Sequence, residues 1–340
     1  MALKRVTMQD IADACGLSRN TVSKIFNGRG VVPESTQKLV LAKAQELGYY
    51  QIPQKESPAA PRGNIALLTQ PKLLIHGFGS FFMTSFTDQI SRIGYNLKIF
   101  EISPAELSEK RLPPHLNLYD TVGILGIELF DKDYLDMICS LHKPTVFVDA
   151  PAHANKHIMH CDIVSMENIA SERKLVSHMI ESGARRVGFV GDIEHCSSFN
   201  ERWLGYCLAV EEAGLTIDRD ICILAEDSAN YGDTDWLLKQ LEQMPALPDA
   251  FACANDYLAI HLMTALKRRG LSIPSDIMVC GFDGSIEADL YDPPLSTAQI
   301  PAAEIGRLAA EVLFFRIQKP DFPLFWASVK TTPILRASTR

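Results

Sequence analysis

The sequence contains no run of 18 apolar residues, so nothing in it reads as a membrane span. Its cysteines, Cys15, Cys139, Cys161, Cys196, Cys207, Cys222, Cys253 and Cys280, show no CxxC spacing. Most lie inside apolar strand-like or helical patterns, which fits reduced, buried thiols in a cytoplasmic protein better than a disulfide framework. Catalytic signatures are missing too: no GxxxxGK followed by Ser or Thr, no HExxH, no GxSxG, and no GxGxxG after the first strand-like run. The nearest phosphate-loop fragment, GFVGD at 188–192, is too short to cradle a phosphate. These absences remove the common nucleotide, zinc-protease and serine-hydrolase chemistries, and the expectation is a protein that is not an enzyme and carries no cofactor. The opening MALKRVTMQD has no apolar core segment and does not read as a secretory signal. No repeat of 20–50 residues is visible, which removes a solenoid.

At 340 residues, 47% hydrophobic and 22% charged, the chain has a soluble globular composition and too much length for one ordinary core. Charge is unevenly shared. Residues 1–50 hold seven Lys/Arg and four Asp/Glu, a net of +3, which leaves −11 for the other 290. A basic head on an acidic body suggests that only the head meets a polyanion.

Residues 7–48 read as three helices. Thr7-Met-Gln-Asp10 has capping-box form, Ile11, Ala12 and Cys15 share a face, and Gly16 supplies a left-handed stop. Ser18 can cap a second helix with Val22, Ile25 and Phe26 inward and Arg19, Asn20 and Lys24 outward. A third helix opens at Pro33, buries Val40, Ala44 and Leu47, and stops at Gly48. Two helices joined through Gly16 form a helix-turn-helix, although the pattern alone also suits a bundle that only packs or dimerises. QIPQKESPAAPRG (51–63), with three prolines, reads as a linker.

From Asn64 onward β-branched runs alternate with amphipathic helices. The strand-like runs are 65–69, 97–101, 122–127, 145–149, 186–192, 221–226, 250–256 and 277–283, with helical patterns at 166–182, 199–213, 234–243 and 257–269. This alternation implies parallel sheets covered by helices, arranged as two similar α/β units in tandem. Ligand chemistry in such sheets collects beyond the carboxyl ends of the strands. Asp149, Asn255, Asp256 and Asp283 each end a strand-like run, and Arg202 opens the helix after 186–192. Carboxylates accept from vicinal hydroxyls and arginine donates to hydroxyl or ring oxygens, so the set suits a polyol. Capping of the following helices is the competing role for the strand-end acids. HANKHIMHC (153–161) places His153, His157, His160 and Cys161 close together, but across a loop and a strand; solvated loop histidines are expected, with no metal.

The wording of these stretches carries a resemblance. TMQDIADACGLSRNTVSKIFNG, followed by VVPESTQKLVLAKAQELGY, is similar to the DNA-binding head of the LacI/GalR (lactose repressor) family of bacterial transcription regulators. RRVGFVGD, NERWLGYCLAVEEAGL, ACANDYLAIHLMTALKRRGLSIPSDIMVCGFDG, YDPPLSTAQIPAAEIGRLAAEVL and the ending ILRASTR resemble successive blocks of that family's effector domain. The resemblance implies an all-α, lambda-repressor-like helix-turn-helix head over 1–50 and a linker over 51–63. It implies a periplasmic-binding-protein-like α/β body over 64–340, made of two Rossmann-like subdomains, about 64–162 with 297–326 and 163–296 with 327–340. Function follows as an expectation: a DNA-binding transcriptional regulator, a repressor, controlled by a small-molecule effector that is a sugar or sugar derivative. The rival is a carbohydrate-binding protein or carbohydrate-acting enzyme without a regulatory role. Operator DNA and a homodimer are the implied partners, since no leucine-heptad tail follows ILRASTR.

Carried onto this sequence, the DNA contacts fall on Thr7, Ser18, Arg19, Asn20, Thr21, Lys24 and Asn27, with Arg19, Asn20 and Lys24 as base readers. The effector contacts fall on Phe82, Asp149, Ser198, Arg202, Asn255, Asp256 and Asp283. Phe82, and with it His76 and Phe78, is expected at the pocket mouth, where an aromatic face can stack on a sugar ring or pack in the core. Three departures stand out. Ile300 replaces a frequent glutamine, so one polar contact is expected to be missing, and GFGSFFM replaces the usual Asn-Pro-Phe wording. In the linker, Pro53, Pro58 and Pro61 interrupt the stretch where the family folds a leucine-bearing hinge helix, and only Ile52 could act as a wedge.

Overall fold

The computed structural model describes residues 6–26, 32–47, 49, 62–70, 77–153 and 160–339. The chain divides into two units, Met1–Arg62 and Gly63–Arg340.

The first unit holds α1 (Met8–Cys15), α2 (Arg19–Phe26) and α3 (Glu34–Glu46). Thr7 and Asp10 close the capping box reciprocally: the Asp10 N–H donates to the Thr7 hydroxyl at 3.3 Å and the Thr7 N–H to the Asp10 carboxylate at 2.7 Å. Gly16, at φ 66°, takes the left-handed conformation that ends α1 and turns the chain toward α2. Ser18 then caps α2, its Oγ accepting from the Thr21 N–H at 3.1 Å. Ile11, Ala12, Val22, Phe26, Val40 and Ala44 form the buried core that fixes the angle between the three helices. A core this small is enough only because all three helices contribute to it.

The second unit opens with β1 (Asn64–Thr69), α4 (Gly77–Ile93), β2 (Asn96–Glu101), α5 (Pro104–Glu109), β3 (Thr121–Ile127), α6 (Lys132–Cys139), β4 (Thr145–Val148) and β5 (Asp162–Met166). It continues with α7 (Ile169–Glu181), β6 (Val187–Val190), α8 (Ser197–Glu212), α9 (Thr234–Gln243), β7 (Ala250–Cys253), α10 (Asp256–Arg268), β8 (Met278–Cys280) and α11 (Ile286–Leu290). The chain then passes through β9 (Thr297–Gln299), α12 (Ala302–Gln318), β10 (Trp326–Val329) and β11 (Thr332–Ile334). Two parallel sheets result. The first runs β2-β1-β3-β4-β5-β10 and the second β6-β7-β8, while β9 and β11 pair antiparallel where the chain crosses between subdomains. On one face of the first sheet α4 and α12 pack so closely that a Cβ on Gly306 would lie 2.5 Å from the Phe82 carbonyl oxygen. α6 covers the other face through Tyr134, Leu135 and Ile138.

Two expectations change. The boundaries at 162/163 and 326/327 coincide with the start of first-sheet strands rather than with crossings: β5 and β10 pair with each other, and the chain leaves the first sheet after Met166 and Val329. The run 221–226 is not a full strand. A 3-10 turn at Arg219–Ile221 precedes it, and only Ile223 bridges to Val190 beside β6.

Candidate functional site

On the head, α2 presents Arg19, Asn20 and Lys24 to solvent, while Thr21 is half-buried. The outward set is one cation, one carboxamide and one further cation a turn later, which matches the donors that read guanine and adenine edges in a major groove. Thr7 and Ser18 are exposed but already serve as caps, so their hydroxyls sit at helix starts where backbone N–H groups favour a phosphate. Asn27 lies outside the described residues.

In the body the chemistry collects at the carboxyl ends of both parallel sheets. Arg202, on α8, is 2% exposed. Its Nε donates to Asn168 Oδ1 at 3.0 Å, and its Nη1 donates to the Ala254 carbonyl at 2.5 Å and to Asp283 Oδ1 at 3.3 Å. The guanidinium also lies 3.9 Å from the Phe282 ring centroid, which fixes its plane. Asp283 follows β8 at φ 121°, a conformation unusual for a residue with a side chain. Shielding from water raises its carboxyl to about 6, against the pull of Arg202 and with a push from Glu128. Behind it Asp256 is fully buried and accepts from the Thr297 hydroxyl at 2.6 Å and the Ser285 N–H at 2.7 Å. Burial, and then the charge of Asp283, push Asp256 up to about 7.

Asp149, after β4 at φ 64°, joins the two subdomains. Its carboxylate accepts from the Ser198 hydroxyl at 2.5 Å, the Ser198 N–H at 3.2 Å and the Ala150 N–H at 2.8 Å. Cys196 offers α8 no side-chain cap, so Asp149 supplies one from across the sequence. Burial raises the Asp149 carboxyl despite these donors. Asn255 is the cap of α10, accepting from the Leu258 N–H at 2.9 Å, and is only half-buried. At these positions the capping role is the one on view, at the carboxyl ends of the strands.

One expected contact is corrected. Phe82 does not stand at a pocket mouth: it is fully buried, its ring stacked between Phe78 and Phe86 at centroid distances of 6.0 and 5.7 Å. The 78/82/86 spacing of four residues is the inward stripe of α4, and α12 closes over it. His76 lies outside the described residues. The place left by Ile300 is filled differently as well. Ile300 is buried in the core, and the neighbouring Gln299 lays its carboxamide over Gly284, next to Asp283, where a Cβ would sit 2.6 Å from it. In the histidine stretch, His153 pairs with Glu194 at 3.0 Å, His160 is exposed and Cys161 is buried, while His157 lies outside the described residues.

Residues 7–51 match the family described as bacterial regulatory proteins, lacI family, and residues 176–339 match the periplasmic binding protein-like domain. Similarity runs through both units. The HTH-type transcriptional repressor PurR of Haemophilus influenzae (strain PittEE) is 26% identical over 328 residues, covering 93% of this chain and 92% of that protein. The chain belongs to the LacI family. The HTH-type transcriptional regulator DegA of Bacillus subtilis (strain 168) is 26% identical over 307 residues, with 89% and 88% covered. Among solved structures, a transcriptional regulator CelR–cellobiose complex superposes with a TM-score of 0.73 at 24% identity, covering 98% of this chain and all of that one. A lac repressor dimer bound to operator and the anti-inducer ONPF gives 0.68 at 21% identity, with 99% of each chain covered. These likenesses place the fold. Like its relatives, this LacI-family chain is a DNA-binding regulator of transcription and not an enzyme.

Other residues at the strand ends and between the subdomains carry no expectation from the sequence. Glu128 directly follows β3, at φ 56°, and the Phe130 ring meets His195 at 4.8 Å across the two subdomains. Glu128 had the same signal as Asp149, an acid one step past an apolar run; Phe130 and His195 had none, because their contact is made only by folding.

Proposed function

We propose that the chain acts in the cytoplasm as a homodimeric repressor whose hold on operator DNA is set by a polyol effector, a sugar or sugar derivative, in the body's cleft. The observation that carries this reading is the Arg202–Asp283 pair, a buried guanidinium against a half-buried carboxylate at the carboxyl ends of the second sheet. Asp149, Ser198, Asn255 and Asp256 hold the strand ends and helix starts around it, and Gln299 adds a carboxamide beside Asp283. Hydroxyls can donate to Asp283 and accept from Arg202, so a polyol satisfies both partners at once. The two subdomains meet through the Asp149–Ser198 bond and the Phe130–His195 contact, and a ligand with different affinity for two subdomain arrangements shifts their balance. Retardation of the protein's own upstream DNA in a gel, reversed or strengthened by a sugar that raises the melting temperature, tests the whole reading. Sugar binding without any DNA retardation would count against it.

Replacing Arg19 or Asn20 by alanine is expected to cost roughly 1–3 kcal/mol at the cognate site and to relax preference at one base pair per half-site. Binding-site selection with each variant reads this directly; unchanged preference would remove both residues from base reading.

The linker carries a second expectation. Residues 51–61 lie outside the described residues; from the sequence alone, Pro53, Pro58 and Pro61 oppose a continuous helix, Ala59 and Ala60 are too small to wedge a base step, and Ile52 comes too early. We therefore expect slight operator bending and little dependence of affinity on the central step at fixed spacing. A circularly permuted bending assay that shows a sharp central kink would contradict this.

A further inference from the structure

Glu172, on α7, is fully buried, and neither of its carboxyl oxygens has a hydrogen-bond partner among the described residues. A carboxyl left unmatched in this way costs stability, so its place in the fold needs a reason. That place is set from two sides. The Glu172 N–H donates to the Asn168 carbonyl at 3.0 Å, and Asn168 Oδ1 accepts from the Arg202 Nε at 3.0 Å. On α8, Gly205 stands three residues past Arg202, and a Cβ there would lie 2.9 Å from the Glu172 Cβ. The root of the Glu172 side chain is thus bracketed by Arg202 and Gly205 along the seam of α7 and α8. Helical side chains lean toward the start of their own helix, which for Glu172 is the end where Asn168 holds Arg202. The other groups around it bring no second cation. Arg173 turns to Glu212 at 2.7 Å, and Glu201 accepts from the Asn168 Nδ2 at 2.9 Å. β7 brings the Cys253 thiol and β8 the Cys280 thiol, both fully buried and both pushed well above the usual thiol value by burial. β9 and β11, also packed on α7, carry no ionisable residue.

Arg202 donates to Asn168 and Ala254 at 3.0 and 2.5 Å, and its bond to Asp283, at 3.3 Å, is the longest of the three. A neutral acid at 172 makes little claim on the guanidinium charge, which is then shared between Asp283 and the cleft. An ionised acid in the same dry place attracts that charge from behind, and the long bond to Asp283 is the one that yields. We infer that Glu172 is a positioning residue of the effector site: as a neutral acid it leaves Arg202 to the cleft, and as an anion it draws Arg202 away, so that effector binding is coupled to a proton. This inference rests on the reading that a polyol occupies the cleft. Its sign follows from burial, which pushes the Glu172 carboxyl up to about 8, above Asp256 at about 7 and Asp283 at about 6. The neutral form dominates below that value and the anion above it, so effector affinity falls as pH rises through about 8.

The test uses the full chain and neutral sugars, which have no group that titrates in this range: glucose, galactose, ribose, cellobiose and maltose. Thermal shift finds the binders, and calorimetry follows the tightest of them from about pH 7 to about pH 9. Wild-type affinity is expected to fall about tenfold over that range, because only about one molecule in ten keeps the neutral acid at its upper end. In Glu172→Gln, which has the same shape and no charge to gain, the ratio of the two affinities should drop from about ten to about one. Glu172→Met is the second variant should Gln not fold, with the same flat profile expected. A residue that only packs would change affinity by the same factor at every pH. A wild-type affinity that is constant across the range overturns the inference and leaves the polyol reading standing. So does a fall that both variants keep. If no probe binds the wild type, the polyol reading itself falls, and the inference with it.

Discussion

Arg202→Ala is expected to abolish the effector response while operator binding persists, with effector affinity falling by about a hundredfold or more. The guanidinium ties Asn168 beside α7, the Ala254 carbonyl after β7 and Asp283 after β8 together. Its removal takes away the charged donor proposed for the effector and leaves three acceptors without their partner. Sites that lose a designed polar partner discriminate by orders of magnitude, because desolvated groups then stay unmatched. Breaking a buried pair also destabilises, by about 3–5 kcal/mol in fully enclosed cases, and Asp283 is partly exposed, so the cost here sits at the lower end. Asp283→Asn is the companion variant: it keeps the shape, removes the charge, and is expected to lose the response as well. Operator binding survives in both because the head has a core of its own. Calorimetry with the effector and gel retardation with and without it separate the two outcomes. Wild-type effector affinity in either variant would take that residue out of the site.

Local pattern recovered the elements whose information is local. Thr7, Gly16 and Ser18 announce helix starts and stops through chemistry that acts within four residues, and they stand where expected. Strand-end acids were legible for the same reason. β5 was not, because DIVSM is short and begins with an aspartate that looks like an interruption. That aspartate is fully buried and held by Arg316 of α12 through two bonds of 2.7 and 2.9 Å, a partner 154 residues away. Phe82 shows the opposite error. Its four-residue spacing to Phe78 and Phe86 points inward, and that periodicity, not the position the family resemblance implies, decides where the ring lies.

The second large effect expected is a gain. Glu172→Met should stabilise the body by roughly 3 kcal/mol at pH 7. Glu172, on α7, is fully buried, and neither carboxyl oxygen has a hydrogen-bond partner among the described residues. α7 and α8 approach so closely there that a Cβ on Gly205 would lie 2.9 Å from the Glu172 Cβ and 2.5 Å from the Ile169 carbonyl oxygen. Burial pushes the carboxyl up to about 8, with only partial relief from Arg202. Below its unfolded value near 4.5 the group is protonated in both states and contributes no pH dependence. As pH rises from there the unfolded chain ionises while the folded one resists, so stability falls by about 1.4 kcal/mol per unit and levels off above pH 8. Methionine has a similar length and no polar atoms, so it removes this loss without opening a cavity. The advantage of the variant should therefore shrink toward pH 4.5 and be largest above pH 8. Urea unfolding across that range reads the body alone, because Trp203, Trp236 and Trp326 all lie in it. A variant that is no more stable at pH 7, or whose advantage is constant with pH, would show that Glu172 finds a partner or stays ionised. Retention of an acid at such a cost is expected only where it serves the site, and Arg202 is the charged group whose field reaches it.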